Sequence, residues 1–182
     1  MELIKNLKET SIVKNLFIAI LGSILLAISA KIKIPFYPVP MTMQTFVVLL
    51  LGISLGWKLG LFTVVLYLVE GIAGLPVFAG TPEKGMGIVY FTGPTMGYLI
   101  GFLAAVYLTG FFTFDNNFFK NFSKLLFSVS FIYILGLIWL GSLIGWDKPV
   151  FKLGAQPFLL AELFKISLLA LLIPTILKFR KL

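Results

Sequence analysis

MTMQTFVVLLLGISLGWKLGLFTVVLYLVEGIA, residues 41–73, is the stretch whose reading decides the fold. It holds two apolar segments, 41–56 and 59–73, and the first is short for a bilayer span, which takes about 20 residues. Segment 41–56 is therefore tilted, set in thinned bilayer, or completed by a preceding loop that dips inward. The last arrangement is tolerable only where protein or water satisfies the loop backbone. Outward from this pair, four more apolar segments are read as spans: 12–30 before it, then 94–114, 125–146 and 157–179. The expected fold is an all-α integral membrane protein, a single transmembrane domain over residues 1–182 with six transmembrane helices and structured outer loops.

Composition agrees. Of 182 residues, 59% are hydrophobic and 12% charged, whereas soluble domains run at about 45–50% and about 25%. A soluble fold has no means of hiding that much apolar surface. The opening residues MELIKNLKETS are too polar for a signal-sequence core, and the apolar run after them lacks a small-residue cleavage pattern. That run reads as a retained first span.

The absence of Cys and His removes disulfides, thiolate and imidazole metal sites, and nucleophile–His catalysis. No metal or cofactor is expected. An intramembrane enzyme is disfavoured, because general acid–base work draws on the same missing side chains. The run GTPEKGMG, residues 80–87, lacks the P-loop spacing, so any energy from ATP must come from a partner.

Fifteen Lys and Arg against seven Asp and Glu give a net charge of +8. The basic residues fall mostly at the ends of apolar segments, where they set topology and meet anionic lipid; no basic patch with interleaved aromatics suggests nucleic acid. Six spans place both termini on one side. Lys5, Lys8, Lys14, Lys58, Lys120, Lys124, Lys178, Arg180 and Lys181 then share that side, while Lys31, Lys33, Lys84, Lys148 and Lys152 lie opposite and Lys165 lies inside a span. By the positive-inside bias the termini are cytoplasmic and the protein is multi-pass in the cell (inner) membrane. Three Pro- and Gly-rich loops gather on the outer face and suggest a lid: residues 31–42 with Pro35, Pro38 and Pro40, the loop within 78–101, and the one after the fifth segment.

Polar groups inside spans are expensive, about 2.5–3.5 kcal/mol for a central Lys or Asp on insertion scales. In QPFLLAELFK, Glu162 and Lys165 stand three residues apart on one helix face, with Lys165 about 12 Å from the helix start at Pro157. Two readings stand: a snorkelling lysine neutralised by its neighbour, or a polar clamp suited to a neutral cyclic urea or amide. Gln44 offers a donor and an acceptor just inside the second segment, or a headgroup contact. Glu70, where the third segment meets the outer loop, is either interfacial or part of a site. In the outer loop, Thr92-Gly93-Pro94 reads as a helix start with proline in the first turn. Its free amides, with Lys84 and Tyr90 nearby, suit a carboxylate. Ala19, Ser23 and Ala27 recur every four residues, a small-residue face that lets another helix approach closely; Gly97 and Gly101 form a similar packing pair.

Three strings, VPMTMQTFVVLLLGISLG, YLVEGIAGLPVFAGTPEKGMGIVYFTGPTMGYLIGF and GWDKPVFKLGAQPFLLAELFKI, resemble the BioY family, the biotin-specific S components of energy-coupling-factor (ECF) vitamin transporters. The resemblance runs from about Ala19 to Lys165. It implies an ECF S-component-like membrane protein that captures biotin at the outer face and is not an enzyme. It also implies a transmembrane coupling subunit with two ATPases as partners, docked on Ala19, Ser23 and Ala27, although some members act without such a module. An S component for another vitamin or precursor is the alternative. Within the resemblance, Glu162 and Lys165 take the positions associated with the ureido ring, where the family has PFLxGDxxK. Here Ala161 replaces Gly and Glu162 replaces Asp, shifting the ring by about a methylene. Gln44 would support the ring, while Thr81, Lys84, Tyr90 and Gly93 would hold the valerate carboxylate. Similar members carry Arg where Lys84 stands; Lys keeps the charge and loses the bidentate fork.

Overall fold

The computed structural model describes residues 2–34, 37–83 and 85–180. Its helices are α1 (Glu2–Lys31), α2 (Gln44–Ile72), α3 (Met96–Phe111), α4 (Phe118–Ile144), the short α5 (Val150–Gly154) and α6 (Leu159–Arg180). Two-residue strands β1 (Lys33–Ile34) and β2 (Met41–Thr42) pair antiparallel after α1. Short 3₁₀ segments cover Gly87–Thr92 and Gln156–Phe158.

Helix α2 is a hairpin. Gly56 leaves helical geometry at φ 75°, ψ 171°, a conformation open to glycine and strained for other residues. The arms it joins, 44–55 and 57–72, lie side by side. Gln44 Nε2 donates to Tyr67 Oη at 2.7 Å, although 23 residues of straight helix would separate them by about 34 Å. The two arms, α1, α3, α4 and α6 are the six apolar helical segments of the fold. Among the described residues, four helices (α1, α2, α4 and the α5–α6 stretch) hold windows long and apolar enough to cross a membrane, and α3 is a shorter apolar helix.

The first arm is short, about 18 Å for its dozen residues, and the loop before it makes up the difference. Val39 is buried, Met43 N–H donates to the Ile32 carbonyl at 3.2 Å, and the Thr42 carbonyl accepts from Lys165 at 2.7 Å. The loop dips inward because its backbone is satisfied by protein there.

Helices α2, α3 and α4 pack in series, α1 lies against α2, and α6 closes against both α4 and α2. Apolar burial does not drive helices together in lipid, so close approach and dispersion hold this bundle. Gly97 and Gly101 are where α3 meets α4. A Cβ on either would press into the α4 backbone, at Leu135 and Gly136 for Gly97 and at Ile132 for Gly101.

Several expected boundaries move. Helix α1 starts at Glu2, ten residues before the expected span start at 12. The stretch 115–124, which separates the expected spans 94–114 and 125–146, is largely helix. Asn117 caps α4 by accepting from the Lys120 amide at 3.0 Å, so the helix begins at Phe118. Thr92-Gly93-Pro94 does not open α3 directly. The Gly87–Thr92 turn ends with Gly93 N–H on the Tyr90 carbonyl, and α3 starts at Met96. Pro157 lies in a 3₁₀ turn just before α6.

The small-residue face of α1 is not open for docking, contrary to the expectation. Ala19 and Ser23 are fully buried and Ala27 is half-buried. The chain's own α2 occupies that face. Ser23 Oγ donates to Glu70 Oε1 at 2.9 Å, and neighbouring Gly22 sits tightly on Thr63.

Candidate ligand-binding cavity

Between the hairpin's first arm, α3, α4 and α6, roofed by the outer loop, lies a small cavity of about 60 Å³. That is well below the usual ligand-pocket range of about 300–1,000 Å³, so a vitamin-sized ligand enters only as the roof or walls give way. Its walls are mainly apolar, with Tyr98, Leu99 and Phe102 from α3 and Ile132 from α4. The floor is polar.

Glu162 and Lys165, a turn apart on α6, are both buried and pair at 3.3 Å. Neither is snorkelling. Lys165 Nζ donates to the Thr42 carbonyl (2.7 Å), Thr45 Oγ1 (3.0 Å) and Glu162 Oε2 (3.3 Å). These three acceptors match the three N–H bonds of an ammonium. Oε2 also accepts from Thr45 Oγ1 at 3.0 Å and from Tyr133 Oη at 3.0 Å. Three donors converge on one carboxylate oxygen.

The other oxygen has none. Among the described residues, Glu162 Oε1 is the one buried side-chain nitrogen or oxygen atom without a hydrogen-bond partner. A buried acceptor left open is costly unless something fills it, on the order of 1–3 kcal/mol. Beside it, Gln44 lines the same cavity and gives one amide N–H to Tyr67 Oη at 2.7 Å. Its carbonyl accepts from Thr42 Oγ1 at 3.3 Å. An amide carries two N–H donors, so a second is available. The floor therefore presents one open acceptor and one open donor.

The roof is aromatic. Tyr90 is buried, lines the cavity and donates to the Ala79 carbonyl at 2.8 Å. Burial pushes its phenol above the usual tyrosine range, so it stays a neutral donor. Phe78 stacks on Tyr90 at 4.7 Å between ring centroids and fills the space left by Gly71, where any Cβ would overlap its ring.

Of the residues the sequence singled out, Glu162, Lys165, Gln44 and Tyr90 meet at this cavity. Thr81 does not line it. Its hydroxyl donates to the Phe78 carbonyl at 2.8 Å and accepts from Lys31 Nζ at 3.1 Å, behind the roof. Gly93 is also outside, its carbonyl taken by Trp139 Nε1 at 2.9 Å. Glu70 is a correction: it faces α1 and bonds Ser23, because its register on the second arm turns it away from the cavity. Lys84 lies outside the described residues. Thr42, Thr45 and Tyr133 were missed, and the only sequence signal for them is hydroxyl or backbone polarity beside Gln44 or within an apolar span.

Known proteins match this chain over nearly its whole length. The family model described as the BioY family matches residues 4–181. The chain belongs to the BioY family. It is 37% identical over 158 residues to a probable biotin transporter BioY of Pyrococcus horikoshii, covering 87% of this chain and 89% of that one. It is 34% identical to the biotin transporter BioY of Thermotoga maritima, over 81% of this chain and 86% of that one. Among solved structures, the crystal structure of the S-component for biotin from an ECF-type ABC transporter superposes with TM-score 0.77 at 28% identity, covering 93% of both chains. This BioY chain is thus a membrane protein with an S-component fold.

Proposed function

We propose that this BioY chain is the membrane-embedded S component that captures biotin from the outer face for uptake, and that the cavity above Glu162 is where biotin sits. The observation that carries the site assignment is the unpartnered Glu162 Oε1. Biotin's head is a cyclic urea, with N–H groups on either side of a carbonyl. One ureido N–H donates to Oε1, supplying the missing partner. The ureido carbonyl accepts the second N–H of Gln44.

Lys165 has a different part from the one first expected. Its three protons are committed, so it reaches the ureido oxygen only by giving up the longest of these contacts, the 3.3 Å one to Glu162. Its main effect is to hold the carboxylate in place. The thiophane ring and the valerate stem lie among Tyr98, Leu99, Phe102 and Ile132. The carboxylate points to the roof, toward Tyr90, with the Thr81 and Gly93 segments shaping the loop rather than touching the ligand; Lys84, expected from the sequence to meet it, lies outside the described residues.

The excess of basic residues on the terminal side supports a multi-pass orientation with cytoplasmic termini. An S component draws on an ECF module: a transmembrane coupling subunit and two ATPases are the proposed partners. Docking of that subunit through Ala19, Ser23 and Ala27 requires α1 to part from α2, because that face is closed.

Native mass spectrometry of protein purified from biotin-supplied cells tests the reading. One biotin per chain is expected; a different small molecule in its place would assign another cargo.

A further inference from the structure

Lys31 ends α1 and does not line the cavity, yet its ammonium spends itself on the roof. Nζ donates to the Phe78 carbonyl (3.0 Å), the Thr81 carbonyl (3.1 Å) and Thr81 Oγ1 (3.1 Å). Three acceptors again match three donors. All lie on the 78–81 turn, which is pinned internally by Thr81 N–H and Thr81 Oγ1, both donating to the same Phe78 carbonyl.

That turn is part of the roof. Ala79, inside it, lines the cavity, and its carbonyl accepts from the Tyr90 hydroxyl. Phe78 buries its ring against Tyr90, Tyr67 and Phe91. On the other side of Lys31, the chain enters β1, whose partner β2 (Met41–Thr42) also lines the cavity. One side chain thus stands between two loops of the roof and the end of α1. The Ser23–Glu70 bond is a second polar tie from α1 to the rest of the bundle, lower on the same helix.

We propose that Lys31 is a positioning residue for biotin binding: a latch that holds the 78–81 turn closed over the cavity and ties the roof to α1. The inference rests on the cavity being the biotin site. Recognition of the ureido ring belongs to the floor, to which Lys31 makes no hydrogen bond. The latch therefore governs how long biotin stays, since related complexes differ mostly in dissociation rate. Because the latch is anchored on α1, moving α1 away from α2 would also loosen the roof.

The test combines two readouts on the full chain in lipid nanodiscs. In pulse-chase release of radiolabelled biotin, Lys31→Met should speed dissociation about tenfold, on the order of one charge-assisted hydrogen bond, with association changed less than about threefold. Lys31→Arg keeps the charge and should recover most of the slow release. In ligand-free protein, amide hydrogen exchange across 78–81 should quicken in Lys31→Met and not in Lys31→Arg. This second readout involves no biotin, so it reports on the latch even if the floor assignment fails. If Lys31→Met does not fold, Thr81→Val, which removes one of the three acceptors, should give a smaller change in the same direction in both readouts. Release and exchange unchanged in the folded variant would overturn the proposal.

Discussion

Replacing Glu162 by Gln changes almost no volume and isolates the carboxylate's role. In the native floor, Oε2 receives the Thr45 and Tyr133 hydroxyls and the Lys165 ammonium, while Oε1 stands open. A glutamine facing the same three donors must turn its carbonyl toward them. Its NH₂ then takes the place of Oε1 and meets the ureido N–H, donor against donor. The loss is at least one charge-assisted hydrogen bond, about 1.5–3 kcal/mol, or roughly 10- to 150-fold in dissociation constant. Glu162→Asp, which keeps the charge and shortens the reach, should lose much less. Equilibrium binding of radiolabelled biotin to purified protein reads the effect, and thermal unfolding shows that the variant is intact. A folded Glu162→Gln protein that binds biotin within about twofold of wild type would refute the role of Oε1.

Three further outcomes follow from the same geometry. Tyr133→Phe removes one of the donors that orient Glu162, so biotin should bind roughly 3- to 10-fold more weakly, in line with about 0.5–1.5 kcal/mol for one hydrogen bond; titration calorimetry measures it. Lys165→Met leaves the buried carboxylate without its cation, and such a loss costs about 3–5 kcal/mol; a clear drop in melting temperature is expected even without ligand. Glu70→Gln sits on the α1 side of the bundle and should leave biotin affinity unchanged in the radiolabel assay, whereas a large loss would return Glu70 to the site.

The sequence made Glu162 and Lys165 visible because charges in an apolar helix are costly, and a three-residue spacing puts them on one face. The partition of 41–73 into two segments was legible too, with Gly56 at the boundary. Hydroxyls carry no such signal. Thr45 and Tyr133 are inexpensive in a span, so nothing in composition sets them apart until α4 and α6 bring them onto the carboxylate.

The misreadings share a cause: periodicity tells which residues share a face, not what covers that face. The Ala19-Ser23-Ala27 stripe is real, but the chain's own α2 fills it. Glu70 sits at a loop end as expected, yet its register points it at Ser23. Lys31 looked like a topology charge at a span end, and only the folded roof shows three carbonyl and hydroxyl acceptors gathered around it.

The most direct measurement is an experimental structure of the chain with biotin bound. A ureido nitrogen is expected within about 2.7–3.2 Å of Glu162 Oε1, with Oε2 still holding Thr45 and Tyr133. A ureido ring placed elsewhere, with Oε1 bonded to water or to protein instead, would contradict that placement.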